Sequence, residues 1–345
     1  MKNGFSAKAP AKLIISGEHA VVYGASAIAV AINQYVITTV SFASKNTINP
    51  VINFNLLALR YAGSHTLKAL ALLANRLQNN YNSFLNGHCS IKEVIKKPFE
   101  LLQYSVISLI EKLQLQLSNS LDIQVDSSVP IGSGLGSSAA VIISCLRSLA
   151  HLFKIKWDPA KFLKIGTDLE NLQHGKSSGI DLYMSTFGGC AYFDNCFKTQ
   201  NIVLPDFGFK IVNTGIPLAT TGECVDFVRK YFSKNDLILK DFSNVTEVIK
   251  KALMTNNKLQ FLEAIKENHA LLSLIGVVPN KIQAFVKEVE SLGGAAKICG
   301  AGSIYGDNAG ILLLIGDQSK IAKVATNYNY ELQNISVDNG GVTII

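Results

Sequence analysis

Gly132, Gly134 and Gly136 alternate with Ser133 and Leu135 and run into the paired hydroxyls Ser137-Ser138, which open a long apolar stretch ending at Phe153. A glycine-rich turn leading directly into a helix can hold phosphate. The glycines let backbone N–H groups come close, and the helix start offers unsatisfied donors and the positive end of its dipole. An isolated Gly/Ser stretch is more often a flexible loop capped by serine. Here a preceding strand, three glycines, two hydroxyls and an apolar helix coincide, which favours phosphate. No lysine precedes the hydroxyl in Gly136-Ser137-Ser138, so the segment is not the common P-loop, and its glycines lack the GxGxxG spacing of a dinucleotide fold.

Two carboxylates, Glu170 and Asp181, stand eleven residues apart. One ends a predicted helix and the other lies beyond a Gly/Ser loop, so they can converge on one site from opposite sides. By themselves they read equally as a solvated helix residue and a helix cap. Toward the N-terminus, Lys12 lies in an apolar strand-like run, and Glu18-His19 sits in a turn bounded by Gly17 and Gly24. Local reading leaves both a solvated lysine with an exposed turn pair and a polar site open.

Taken together, these segments resemble the GHMP kinases, the family of galactose, homoserine, mevalonate and phosphomevalonate kinases. The stretch from Pro130 to Ala140 resembles the family's phosphate-binding motif. The run from Lys8 to Gly24, with Gly17-Glu18-His19-Ala20-Val21-Val22-Tyr23-Gly24, resembles the first family motif in the form found in mevalonate kinases. Galactokinases usually continue Gly-Glu-His with Thr-Asp-Tyr, and phosphomevalonate kinases tend to have Gly-Glu-Tyr. Asn213–Thr221 resembles the start of the family's second domain, and Lys297–Asp307 its last glycine motif.

The resemblance implies phosphoryl transfer from ATP to a small acceptor, with mevalonate and its C5 hydroxyl as the first expectation. Asp181 and Lys12 match the catalytic pair, Glu18, His19 and Thr220 the substrate side, and Gly132, Ser133, Gly134, Leu135, Gly136, Ser137 and Ser138 the ATP loop. Ser138 and Glu170 match the Mg²⁺ ligands. These residue types suit the reaction, which needs charge on the γ-phosphate neutralised and a hydroxyl aligned, with little covalent help. A threonine at position 220 reads as well as a helix cap.

Three sites depart from the family pattern. Ala11 stands where most members have glycine, and Leu218 where mevalonate kinases often carry arginine. Ser303-Ile304-Tyr305 replaces a run of further glycines, which puts acceptor choice and loop flexibility in question.

The elements that must position these residues follow from periodicity and punctuation. Phe5 to Phe42 reads as several successive strands broken at Gly17, Gly24 and Asn33. His65–Leu77 and Phe99–Leu115 read as helices, and the motif-free stretch from Lys45 to Ser118 as helical structure bordering the substrate side. A strand at Ser120–Val125 precedes the glycine loop, a helix follows at Ser138–Phe153, and Asp158-Pro159 starts another that carries Glu170. Beyond Phe209–Asn213, helices over 222–232, 237–254, 258–274 and 281–292 are followed by strands at 295–299, 310–315 and 330–337. The predicted class is α+β. The resemblance implies an N-terminal mixed-sheet ATP domain over 1–204, a ferredoxin-like domain over 205–345, and a site in the cleft between them.

The 345 residues suit about two domains. Hydrophobic residues at 48% against 17% charged exclude global disorder. No stretch reads as a membrane span or signal peptide, so a cytoplasmic protein is expected. Six cysteines without a CxxC pair read as reduced thiols. The net charge of +7 is spread along the chain without an arginine-rich run, which argues against nucleic acid and suits a small anionic substrate. A homodimer is left open. Two other readings stand beside mevalonate phosphorylation: a related GHMP kinase acting on phosphomevalonate or a sugar, and a non-catalytic sensor of the same fold.

Overall fold

Along Gly4–Ser16 every second residue from Ala7 to Ile15 is sealed from solvent, the period of a strand with one face on a core. The computed structural model describes residues 4–46, 49–130, 132–232 and 235–345, so Ile131 of the glycine loop lies outside the described residues. In its first part come strands β1 (Gly4–Ser16), β2 (Ala27–Asn46), β3 (Val51–Leu56) and β4 (Tyr61–Thr66), helices α1 (Leu67–Leu85) and α2 (Glu100–Lys112), and strand β5 (Asn119–Ser127). Helices α3 (Ser137–Leu152), α4 (Pro159–His174) and α5 (Ile180–Phe187) follow, then strands β6 (Cys190–Phe193), β7 (Thr199–Ile202) and β8 (Lys210–Asn213). Helices α6 (Thr221–Phe232), α7 (Asp236–Met254), α8 (Lys258–Leu274) and α9 (Asn280–Ser291) lead to β9 (Ala295–Ile298) and β10 (Ile311–Ile315). The chain closes with α10 (Gln318–Asn327), β11 (Leu332–Asn334) and β12 (Thr343–Ile344).

The larger sheet runs β12-β1-β2-β5-β3-β4, with β6 paired to β2 and β7 to β6. It is mixed, because β3 and β5 run parallel while its other pairs are antiparallel. Helix α3 presses Ala139, Ile142, Ile143 and Leu146 into the same core as Ala7, Ala9, Ala11 and Leu13 of β1. That contact seats the glycine loop at the head of α3 beside Lys12 on β1. The smaller sheet is antiparallel in the order β11-β8-β10-β9. With helices between β8 and β9 and α10 between β10 and β11, it has the strand–helix–strand–strand–helix–strand plan of a ferredoxin-like layer. Its core joins Val212, Leu312 and Leu314 to Ile282, Phe285 and Val289 of α9.

The α+β class holds, and the structure corrects two local expectations. The stretch from Lys45 to Ser118 is not helical throughout: β3 and β4 form a hairpin inside it, and β3 buries Ile52, Phe54 and Leu56 in register with β5. Helix α1 begins after His65, with Thr66 accepting the Ala69 N–H at 3.2 Å. Phe5–Phe42 holds two long strands rather than several short ones. Asn33 does not break β2, since its side chain accepts the Ser336 N–H at 2.9 Å while neighbouring Ile32 bridges Val337.

Candidate active site

Lys12 projects from β1 into a buried position where Nζ donates to the Gly134 carbonyl at 2.9 Å and lies 3.3 Å from Asp181 Oδ1. Its own backbone N–H donates to Leu135 O at 2.9 Å, so strand and glycine loop are joined at two points. Asp181 sits in the first turn of α5, where the helix dipole favours a negative charge. Gly136, at φ +71°, fits against both. A Cβ built there would lie 3.0 Å from Asp181 Oδ2 and 3.1 Å from Lys12 Cγ, so any side chain would push the pair apart.

Gly132, Gly134 and Gly136 all adopt left-handed backbone. Gly136 caps α3 with no side-chain hydrogen bond, which leaves the first amides of the helix for an anion. The two hydroxyls in the loop differ. Ser133 is buried and donates to Pro130 O at 2.7 Å, shaping the turn, and Leu135 packs into the core. Ser138, in the first turn of α3, reaches His174 Nε2 at 3.5 Å.

Glu170, in the last turns of α4, is brought to the same place. It is only 2% exposed, and Ser177 Oγ donates a short hydrogen bond to its Oε2. Burial, with the Asp181 charge next, pushes its carboxyl up to about 8. Burial lowers His174 as well. The carboxylates that the sequence spaces eleven residues apart are thus near enough that Glu170 feels the charges of both Asp181 and Lys12.

Glu18 and His19 follow β1 and meet the last glycine motif. His19 holds φ +60° and its Nε2 is 3.0 Å from Ala301 O, with burial lowering its pKa to about 4. Glu18 is sealed against Lys297 of β9 in an ion pair with almost no exposure on either side. Burial raises the Glu18 carboxyl, and the Lys297 charge opposes that rise. Lys297 is the residue that sequence reasoning missed. Its signal was a lone charge in the otherwise apolar run Ala295-Ala296-Lys297-Ile298, where burial demands a partner.

Thr220 is exposed and makes a reciprocal cap at the head of α6: Glu223 Oε2 accepts its N–H at 2.7 Å and its hydroxyl at 2.8 Å. Leu218 is exposed and lies over Gly306. The last motif touches the glycine loop directly, since a Cβ at Gly134 would lie 2.9 Å from Cys299 O. Ser303 is buried, and its hydroxyl donates to Tyr305 O at 2.6 Å and accepts the Ala219 N–H at 3.3 Å. Among the described residues the cysteines are all free, and Cys145, Cys190, Cys224 and Cys299 are buried.

The profile described as "GHMP kinases N terminal domain" matches residues 101–189, the span that contains the glycine loop, Glu170 and Asp181. A protein of Thermococcus onnurineus named mevalonate kinase is 28% identical over 332 residues, covering 93% of this chain and 92% of its own. One of Pyrococcus horikoshii with the same name is 29% identical over 309 residues, covering 86% and 85%. The crystal structure of the Methanococcus jannaschii mevalonate kinase superposes with a TM-score of 0.77 at 24% identity, covering 97% of this chain and 98% of that one, a likeness of fold. Motif order, fold and profile agree in their likeness to the GHMP kinases.

Proposed function

We propose that the chain is an ATP-dependent kinase that phosphorylates the C5 hydroxyl of mevalonate to give 5-phosphomevalonate, in isoprenoid precursor synthesis. The observation that carries the reading is the Lys12–Asp181 pair packed on Gly136, at the foot of an uncapped helix start and beside buried Glu170. The relatives named mevalonate kinase align over most of the chain, which supports mevalonate as the acceptor.

ATP is the co-substrate, its phosphates on the amides from Gly132 to Ser138. Asp181 takes or orients the proton of the acceptor hydroxyl, and Lys12, paired with that carboxylate, balances the charge that develops on the transferred group. The hydroxyl, the aspartate and the phosphate are held in line by groups that the fold has already placed, which supplies most of what this chemistry asks of a protein. Glu18, through its tie to Lys297, and His19, through Ala301, hold the acceptor side in shape, with Thr220 at its edge.

Mg²⁺ fits the residues present. Glu170 is a carboxyl raised by burial and, after that, by the Asp181 charge, so a divalent cation there would relieve it, and Ser138 adds a hard oxygen donor. Among the described residues no group of three or more His, Cys, Asp or Glu forms a cage, as suits a metal that completes its shell with nucleotide oxygens and water. When bound, Mg²⁺ would neutralise phosphate charge. We place the division between the two units near residue 205, with β12 returning to pair with β1. No helix among the described residues is long and apolar enough to cross a membrane, and we place the enzyme in the cytoplasm.

The test is ADP release from Mg²⁺-ATP with mevalonate, phosphomevalonate, galactose or homoserine offered separately, for wild type and Asp181→Ala. Release with mevalonate alone, lost in the variant, supports the reading. Release with another acceptor alone, or with none, overturns it.

A further inference from the structure

Around Lys12 and Asp181 the packing closes into a ring. The glycine loop touches Gly300, and His19 reaches Ala301. On the other side, α4 ends at Gly175, whose carbonyl accepts the Tyr81 hydroxyl at 2.8 Å and whose Cα face is covered by the Phe84 ring. From Phe84 the chain passes through a short helical turn, Ile91–Glu93. Ile91 lies between two glycines: a Cβ built at Gly175 would be 3.8 Å from its Cδ1, and one at Gly222 would be 3.6 Å from its Cγ2. The turn therefore spans from the end of the helix that carries Glu170 to the start of α6.

Beside that packing, a carboxylate ties the turn to the second half of the ring. Lys92 Nζ is 2.9 Å from Glu223 Oε1, while Glu223 Oε2 takes both the backbone N–H and the hydroxyl of Thr220. The Tyr305 phenol stands near the same carboxylate, whose charge adds to burial in raising its pKa. Ser303 in turn fixes the Tyr305 carbonyl and the Ala219 amide. Side chains at 303 and 305, where the family motif continues in glycine, are what make these last links. The Lys92–Glu223 pair is half exposed, so it is weak and screened by solvent, and it can open to admit a substrate and re-form.

We propose that Glu223 is a positioning residue for the acceptor: by tying Lys92 of the Ile91–Glu93 turn to Thr220 and Tyr305 it closes the acceptor side of the Lys12–Asp181 pair. This rests on the reading of the chain as a mevalonate kinase. On that reading the nucleotide takes the glycine loop and the head of α3, and the tie is expected to govern the acceptor and leave ATP alone.

The experiment compares wild type with Lys92→Met, Lys92→Arg, Glu223→Gln and the double variant Lys92→Met/Glu223→Gln. Glutamine preserves the reciprocal cap with Thr220 and removes only the charge. Lys92→Met and Glu223→Gln are each expected to raise the acceptor KM about three- to fivefold, the span of an exposed ion pair, with kcat and the ATP KM unchanged. The double variant is expected to be no worse than either single one, and Lys92→Arg to match wild type. Hydrogen exchange across 84–94 is expected to quicken in both single variants without any ligand. If Lys92→Met raises KM while Glu223→Gln leaves both KM and exchange as in wild type, Lys92 acts on the acceptor directly and the tie is wrong. Wild-type turnover is measured first. Should mevalonate fail and another acceptor work, the same comparison with that acceptor and the exchange of 84–94 still decide the tie.

Discussion

Glu18 and Lys297 form an ion pair whose side chains are 1% and 0% exposed, joining the turn after β1 to β9 in the other sheet. Lys297 also donates to Ile298 O at 2.7 Å, whereas Glu18 Oε2 has no partner. The pair stands one residue from His19 and two from Cys299, where both halves of the chain meet the glycine loop. Its two charges are out of water, so each depends on the other.

Removing one partner should cost far more than removing both. Lys297→Met is expected to destabilise the protein by about 3–5 kcal/mol, because it leaves a carboxylate buried without a counter-charge. The double variant Glu18→Leu/Lys297→Met is expected to recover most of that loss. Urea unfolding of the two variants and wild type measures both values, and a double variant no better than Lys297→Met would refute the argument.

Gly136→Ala tests whether the glycine is there for the proposed catalytic pair, Lys12 and Asp181. At φ +71° an alanine costs about 1–2 kcal/mol from its backbone conformation alone. Gly293, at φ +80° with open space around it, carries the same backbone cost without a neighbour. Gly293→Ala is expected to lose similar stability and keep kcat. Gly136→Ala is expected to lose about a hundredfold in kcat, since it displaces Asp181 and Lys12. Equal kcat in the two variants would remove the case for close packing at Gly136.

Asp181 and Glu170 should separate by their dependence on metal. Asp181→Asn is expected to lower kcat by about 10²- to 10⁴-fold at every Mg²⁺ concentration, as loss of a proton-accepting group does. Glu170→Gln is expected chiefly to raise the Mg²⁺ concentration for half-maximal rate. Titrating Mg²⁺ at saturating ATP and mevalonate distinguishes them. Identical Mg²⁺ curves for Glu170→Gln and wild type would exclude Glu170 as a metal ligand.

His269 on α8 offers a test of pH dependence. Burial, reinforced by the Lys297 charge, lowers its pKa to about 4, so the folded protein holds it neutral where the unfolded chain protonates near 6.5. The unfolded state then binds more protons between about pH 4 and 6.5, and this residue's contribution to stability falls as pH drops through that window. The slope is about 1.4 kcal/mol per pH unit. Glu170, raised to about 8, acts with the opposite sign, so the contribution is read as wild type minus His269→Gln rather than from wild type alone. A difference that stays flat from pH 4 to 6.5 would show that His269 is not held neutral.

Much of the candidate site was legible in one dimension because its chemistry is local. The three glycines and two serines had to meet at a helix start, and Asp158-Pro159 began α4 where capping rules put it, with Asp158 Oδ1 accepting the Ala160 N–H at 3.1 Å. The hairpin of β3 and β4 was not legible. Val51–Leu56 is short, and its strand character comes from pairing with β5 some seventy residues on. Helix α10 was also passed over, although Asp317 caps it through the Ser319 and Lys320 amides.

The order of the motifs, the residue types at Lys12, Glu170 and Asp181, and the glycine run that opens into an apolar helix were determined by the sequence itself. These are properties of neighbouring residues and their backbone preferences. Which charges face one another was decided only by the tertiary structure. Lys297 meets Glu18 because two sheets close on them. Ser133 turns inward while Ser138 does not, because one side of the loop is packed. Glu223 gathers Lys92, Thr220 and Tyr305 because three distant segments end at the same edge. Charge pairing and burial depend on distance through space, and distance along the chain does not encode them.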